Sequence, residues 1–177
     1  MMMKTLAKAA SPVLNSPLVL RLRRNHGLEH GTIHMLNRQR FVLSGISTLS
    51  GFVLVGDVPT EKVSKAAEEA LRRFGRGEAG LAVHPNCGTN LVVTAALMAS
   101  IGAVGFVGAS PRQAWERFSL VLLAMLFAAM FSLPMGLSVQ RHFTTTGDMG
   151  DLELLGVQRR ELRVRGRKIV LHQVKTL

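Results

Sequence analysis

The chain has 177 residues, with 22 Lys and Arg against 11 Asp and Glu, a formal charge of +11, 47% hydrophobic residues and a mean hydropathy of +0.25. That is room for one small domain and is more apolar than a soluble domain usually is, while the charge comes without a recognition motif, so no nucleic-acid partner is expected. A single cysteine, Cys87, excludes an intrachain disulfide framework and agrees with a reducing compartment.

Residues 1–14 contain Lys4 and Lys8, which interrupt the apolar run before it reaches the length of a signal-peptide core. No cleavable signal is expected. The segment reads as an interfacial amphipathic stretch ended by Ser11-Pro12 and Ser16-Pro17. Residues 18–38 read as a helix carrying His26-Gly-Leu-Glu29-His30 and, one turn on, His34. Residues four apart share a helix face, so His26 and His30 can reach one metal ion, with Glu29 beside its open position as a general base. His26 and His34 are about 12 Å apart along the axis and cannot share that ion. Gly27 and Gly31 serve close packing, room for a metal, or both.

Residues 41–45 and 52–55 are β-prone runs flanking Ser47-Thr-Leu-Ser-Gly51, a hairpin pattern. Asp57-Val-Pro59 breaks the second run, and Thr60 is placed to cap a helix. In that helix Val63, Ala66, Ala67, Ala70, Leu71 and Phe74 recur at helical spacing, and Gly75 stops it. Residues 81–83 read as a short strand that delivers His84 to a second motif, His84-Pro-Asn-Cys87-Gly-Thr-Asn90, with Thr89 or Asn90 capping the next helix. The third metal ligand is His84 or Cys87, which leaves the site open; if both bind, the sphere closes and the metal is structural. A rival chemistry takes Cys87 as a nucleophile with a histidine base, but it gives Glu29 no task.

Residues 91–109 and 118–139 carry no charge and are close to the roughly 20 residues a helix needs to cross a bilayer. Too little chain remains to wrap both as core helices, so they read as a membrane hairpin with Trp115 in its turn. Ala95, Ala99 and Ala103 give the first span a close-packing face, compatible with a homo-oligomer, and Pro134 marks a bend in the second. Twelve basic residues precede the spans, two lie in the turn and eight come after, which puts both termini on the cytoplasmic side of the cytoplasmic membrane. The tail has two β-like runs, 161–164 and 168–171, joined by Arg165-Gly166-Arg167. His142 and His172 read as surface or packing residues.

The segment His26-Gly-Leu-Glu-His-Gly-Thr-Ile-His34 together with His84-Pro-Asn-Cys-Gly-Thr-Asn90 resembles a bacterial membrane family, domain of unknown function 6391. In the two motifs only, it is similar to the larger, predicted metal-dependent family numbered 1385, with Gly-x-Glu-His-Lys-Thr-Ile and His-Pro-Arg-Cys-Gly-Thr. Gly31 stands where that family has Lys. The nearer resemblance implies a small multi-span bacterial protein with its motif pair before the membrane.

The expected fold is α+β: an N-terminal segment (1–17), a small cytoplasmic domain (18–90), a two-helix transmembrane hairpin (91–139) and a basic β-rich tail (140–177). The expected function is a membrane-bound zinc hydrolase, most simply a metallopeptidase acting at the cytoplasmic surface of the lipid bilayer on a peptide or membrane-protein substrate. Its ligands are His26, His30 and His84 or Cys87, and its base is Glu29. The alternatives are a structural zinc site and a metal-free assembly factor.

Overall fold

The computed structural model describes residues 2–164 and 166–177, in two units: residues up to 84 together with 141–177, and residues 85–140. Arg165, in the expected tail turn, lies outside the described residues. The chain is a mixed α and β protein with one four-stranded antiparallel sheet and two helices long and apolar enough to cross a membrane.

In the first unit, α1 (Met2–Ala9) and α2 (Ser11–Leu14) lead into α3 (Pro17–Asn37). Pro17 occupies the first turn of α3, where its missing N–H costs nothing. Hairpin strands β1 (Ser44–Thr48) and β2 (Gly51–Val55) come next, then α4 (Thr60–Gly75). After the second unit, β3 (Leu154–Val164) and β4 (Arg167–Thr176) complete a sheet of order β1-β2-β4-β3. The tail strands therefore close the same sheet that the early hairpin begins. They are longer than the apolar runs predict, because alternation along β4 buries Val170, His172, Val174 and Thr176 on one face.

Helix α3, helix α4 and this face enclose the core: Leu28, Leu36, Phe52, Leu54, Val63, Ala67 and Val174, among others. Small residues on α4 permit a close helix–helix approach. A side chain at Gly31 would meet Ala70 at 3.0 Å and Phe74 at 2.8 Å, and one at Gly27 would strike the Thr146 carbonyl. Both glycines are packing positions. Removing a fully buried leucine such as Leu36 from such a core costs about 2–5 kcal/mol.

Several local expectations change. The first strand begins at Ser44, not Phe41, because the Phe41 N–H closes back onto the Leu36 carbonyl (3.2 Å) after Arg40 turns left-handed at φ 66°. Gly51 (φ 131°) ends the two-residue turn, and a side chain there would overlap the Val174 carbonyl. Thr60 is the first helical residue, with Pro59 at the cap. Residues 81–83 form no strand. They belong to the end of a 3-10 turn, Ala79–Ala82, closed by Leu81 N–H to Glu78 O (3.1 Å), since no neighbouring strand offers a ladder.

The second unit holds α5 (Gly88–Phe106) and α6 (Pro111–Val139). The cap of α5 is Cys87, whose sulfur accepts from the Thr89 N–H at 3.4 Å; neither Thr89 nor Asn90 takes that position. Helix α6 starts before its apolar run because Ser110 and Gln113 form a reciprocal capping box, with Pro111 in the first turn between them. Ala95, Ala99 and Ala103 lie exposed. The close approach is made elsewhere, by Gly102 towards Met125 and Gly105 towards Val121. Asn90 ties one end, accepting from Gln140 (2.6 Å) and donating to the Pro85 carbonyl (2.5 Å).

His172 is a fully buried imidazole set opposite Leu54 and Arg159 in the sheet, with the backbone of Gly56 and Val58 beside it. Burial holds its pKa below the usual value, Arg159 pushes the same way, and Asp57 opposes them. The neutral ring is thus the native form. Its contribution to stability is complete above the unfolded value of about 6.5 and is lost as pH falls towards the folded one. Denaturant melts from pH 7.5 to 5 should show a loss steeper for the native protein than for His172→Leu, the difference reaching at most about 1.4 kcal/mol per pH unit.

Candidate metal centre

Helix α3 buries an unusual run of polar side chains: Asn25, Glu29, His30 and Thr32 are each at most 4% exposed. Burial of unpaired polar groups costs several kcal/mol, so the surroundings must satisfy each one. Asn25 donates to the carbonyls of Thr48 (2.8 Å) and Leu49 (3.3 Å) and accepts from Thr176 Oγ1 (2.8 Å). That joins the helix to the β1–β2 turn and to the end of β4. Near the same end of the helix, the Arg23 guanidinium gathers the carbonyls of Leu14 (3.2 Å), His142 (3.4 Å) and Thr145 (3.1 Å), which lays the returning chain beside α3.

The histidine face is then fixed by carbonyls. His26 Nδ1 lies 3.0 Å from the Thr144 carbonyl, at the end of a five-residue π turn, Gln140–Thr144. His30 Nδ1 lies 2.7 Å from the Ala82 carbonyl, at the end of the 3-10 turn. A carbonyl oxygen only accepts, so in both rings Nδ1 carries the proton and Nε2 carries the lone pair. This is the arrangement that orients and tunes a metal-binding imidazole. The two rings stand edge to face with centroids 4.5 Å apart.

His34 is turned the other way. Its Nε2 donates to the Val83 carbonyl (2.9 Å), and its ring packs against His84 at 4.9 Å. His84 also stands 5.7 Å from His30, and its Nε2 is 3.4 Å from Asn37 Nδ2. The amide N–H donates, so this contact engages the His84 Nε2 lone pair. Burial, then the neighbouring His34 and His30, lower the His84 pKa to about 4 and keep its ring neutral.

Glu29 leaves the helix on the flank of His26, about 60° round the axis, and points at β1. Its carboxylate accepts a short hydrogen bond from the Ser47 hydroxyl. Gly45, two residues away on the same face of the strand, leaves the room it occupies; a Cβ there would lie 2.6 Å from the Glu29 Cδ. Burial raises the Glu29 pKa, while the Ser47 hydrogen bond and the charge of His26 act against it. Such a carboxyl is suited to carrying a proton in either direction.

The first unit thus brings together His26, His30, His34, His84 and Glu29, while Cys87 lies two residues beyond the start of the second unit. Asn37, Ser47, Gly45 and the carbonyls of Ala82, Val83 and Thr144 are partners that sequence reading missed. Only the Gly45/Ser47 alternation carries a signal, and it says that they share a face without saying which residue they face.

Fold and cluster together define a small mixed α and β protein with a buried histidine–carboxylate face and two apolar helices. Residues 21–157 match the family described as Domain of unknown function (DUF6391), and the chain belongs to that family. It is also similar to an uncharacterized protein of Picosynechococcus sp. (strain PCC 7002), 34% identical over 138 residues that cover 72% of this chain and 67% of the relative. No solved structure matches the chain.

Gly45→Ala should lower stability by about 1–3 kcal/mol in thermal melts, because the new methyl meets the Glu29 carboxyl or pushes β1 off α3. Gly75→Ala, at a helix end with open space around it, should be neutral or raise stability by a few tenths of a kcal/mol.

Proposed function

We propose that the protein is a membrane-bound zinc hydrolase, most simply a peptidase at the cytoplasmic surface. His26 Nε2, His30 Nε2 and Cys87 Sγ are its metal ligands and Glu29 is its general base. The carrying observation is the pair of Nδ1–carbonyl bonds, which gives two imidazoles one turn apart the same tautomer, with both lone pairs on Nε2. His26 and His30 supply two donors from one helix face, and the second motif supplies the third from Cys87 or His84. We take Cys87 as the third ligand because a thiolate beside two imidazoles is a donor set zinc prefers, with His84 as the alternative. Only Pro85 and Asn86 separate the two positions, so the chain keeps Cys87 Cα within about 11 Å of His84 Cα.

One thiolate and two imidazoles suit zinc and leave a fourth position open. When bound there, zinc lowers the pKa of water to about 7 and polarises a carbonyl. Glu29 takes the proton from the attacking water and hands it to the leaving amine. Ser47 holds its carboxyl while it does so, and the buried setting raises its proton affinity. Burial keeps the neighbouring His84 ring neutral, so it adds no repulsion to a cation.

Membrane insertion is supported by α5 and α6, both long and apolar enough to span, with most of their surface exposed. The basic residues clustered before and after them support cytoplasmic termini. A structural zinc is the second reading. It is favoured by the hydrogen bond that already occupies the Glu29 carboxylate.

Elemental analysis of the purified full chain should find one zinc per chain. His26→Ala, His30→Ala and Cys87→Ser should each lose it, while His34→Ala and His84→Ala keep it. Retention by Cys87→Ser would remove the thiolate from the set, and a metal-free native protein would overturn the proposal. Glu29→Gln should keep zinc and melting temperature but lose peptide-library turnover by about 10²–10⁴-fold; unchanged turnover would make the zinc structural.

A further inference from the structure

Strands β3 and β4 run past the sheet they complete. β2 pairs with β4 only from Leu171 to Lys175, and Gly56 N–H adds one bond to Val170 O. Beyond that point Leu162–Val164 and Arg167–Ile169 continue as a two-stranded ribbon, with no third strand among the described residues. A bare ribbon of this kind is only marginally stable in water.

The register sorts its side chains, since residues opposite one another share a face. Leu162 opposes Ile169, Val164 opposes Arg167, and Arg160 opposes Leu171 on the face turned away from the core. Leu162 and Val164 are 49% and 50% exposed. The other face carries Arg163 opposite Lys168, and Glu161, which is paired with Arg159 (2.8 Å) and Lys168 (2.9 Å). Arg160, Arg163 and Arg167 pair with no acid among the described residues. Between 159 and 168 the sequence has six basic residues and one acidic one, and no aromatic residue on which a base could stack.

We propose that this ribbon docks on a bilayer surface of anionic phospholipids. Leu162, Val164 and Ile169 would enter the headgroup boundary, and Arg160 and Arg167, on the same face, would bind phosphate oxygens. The pattern is the one that interfacial binding requires: an apolar strip rimmed by guanidinium groups, which form paired hydrogen bonds with phosphate. The proposal is independent of any metal. Its occupant is set by charge complementarity, because a neutral apolar partner would leave Arg160 and Arg167 unanswered.

The test uses the full chain reconstituted in lipid nanodiscs, with Leu162→Trp in a Trp115→Phe background reporting on brominated acyl chains. Bromine quenching should be stronger in phosphatidylcholine/phosphatidylglycerol discs than in phosphatidylcholine discs. It should fall to the phosphatidylcholine level in Arg160→Gln/Arg167→Gln and survive in the corresponding double Lys variant, which controls for folding. Equal quenching in both disc types, or none in the anionic discs, would overturn the proposal. So would a Trp shift on adding polyglutamate without bromine quenching, which would assign the ribbon to an acidic protein.

Discussion

The polar stripe buried along α3 dictates much of the surrounding structure. Asn25, Glu29, His30 and Thr32 cannot be taken out of water unless something replaces the water, at a cost of about 1–3 kcal/mol for each group left unsatisfied. Thr32 solves this locally, donating to the Leu28 carbonyl at 2.8 Å. The other three reach across the unit. Asn25 recruits the β1–β2 turn and the end of β4, Glu29 recruits β1 through Ser47, and His30 recruits the 3-10 turn at Ala82. The helix that carries the candidate chemistry is thereby the helix that organises the sheet.

The same requirement decides how the histidines can act. A ring whose Nδ1 is committed to a backbone carbonyl has one lone pair left to offer, and its direction is fixed by the ring plane. His26 and His30 meet this condition with the same nitrogen; His34 meets it with the opposite one. Spacing alone does not distinguish the pair His26/His30 from His30/His34, because both are four residues apart. The backbone partners do distinguish them. They also give His84 a separate role, as a neutral ring wedged between His30 and His34 and held by Asn37.

Much of this was legible in the sequence where periodicity is strong. Helix α4 matches its apolar repeat to within a residue, and α3 and the two apolar helices appear where their patterns place them. What the sequence hid was non-local. The run 81–83 has strand-like residues but no strand to pair with, so it ends a turn whose carbonyls serve the histidines instead. Strand β4 lies more than a hundred residues from the hairpin it joins, and no local signal announces that pairing. Gly45 and Ser47 read as ordinary hairpin residues until the carboxyl of Glu29 is seen against them. His172 reads as a surface or packing residue, and only the sheet register shows it to be fully buried.

The tautomer argument makes a claim about atoms, and the most direct test reads atoms. X-ray absorption at the zinc edge of the zinc-loaded full chain should show one sulfur at about 2.3 Å and two imidazole nitrogens at about 2.0–2.1 Å, with a light oxygen completing the shell. A first shell without sulfur, or one filled by four protein donors, would contradict an open site built from His26, His30 and Cys87.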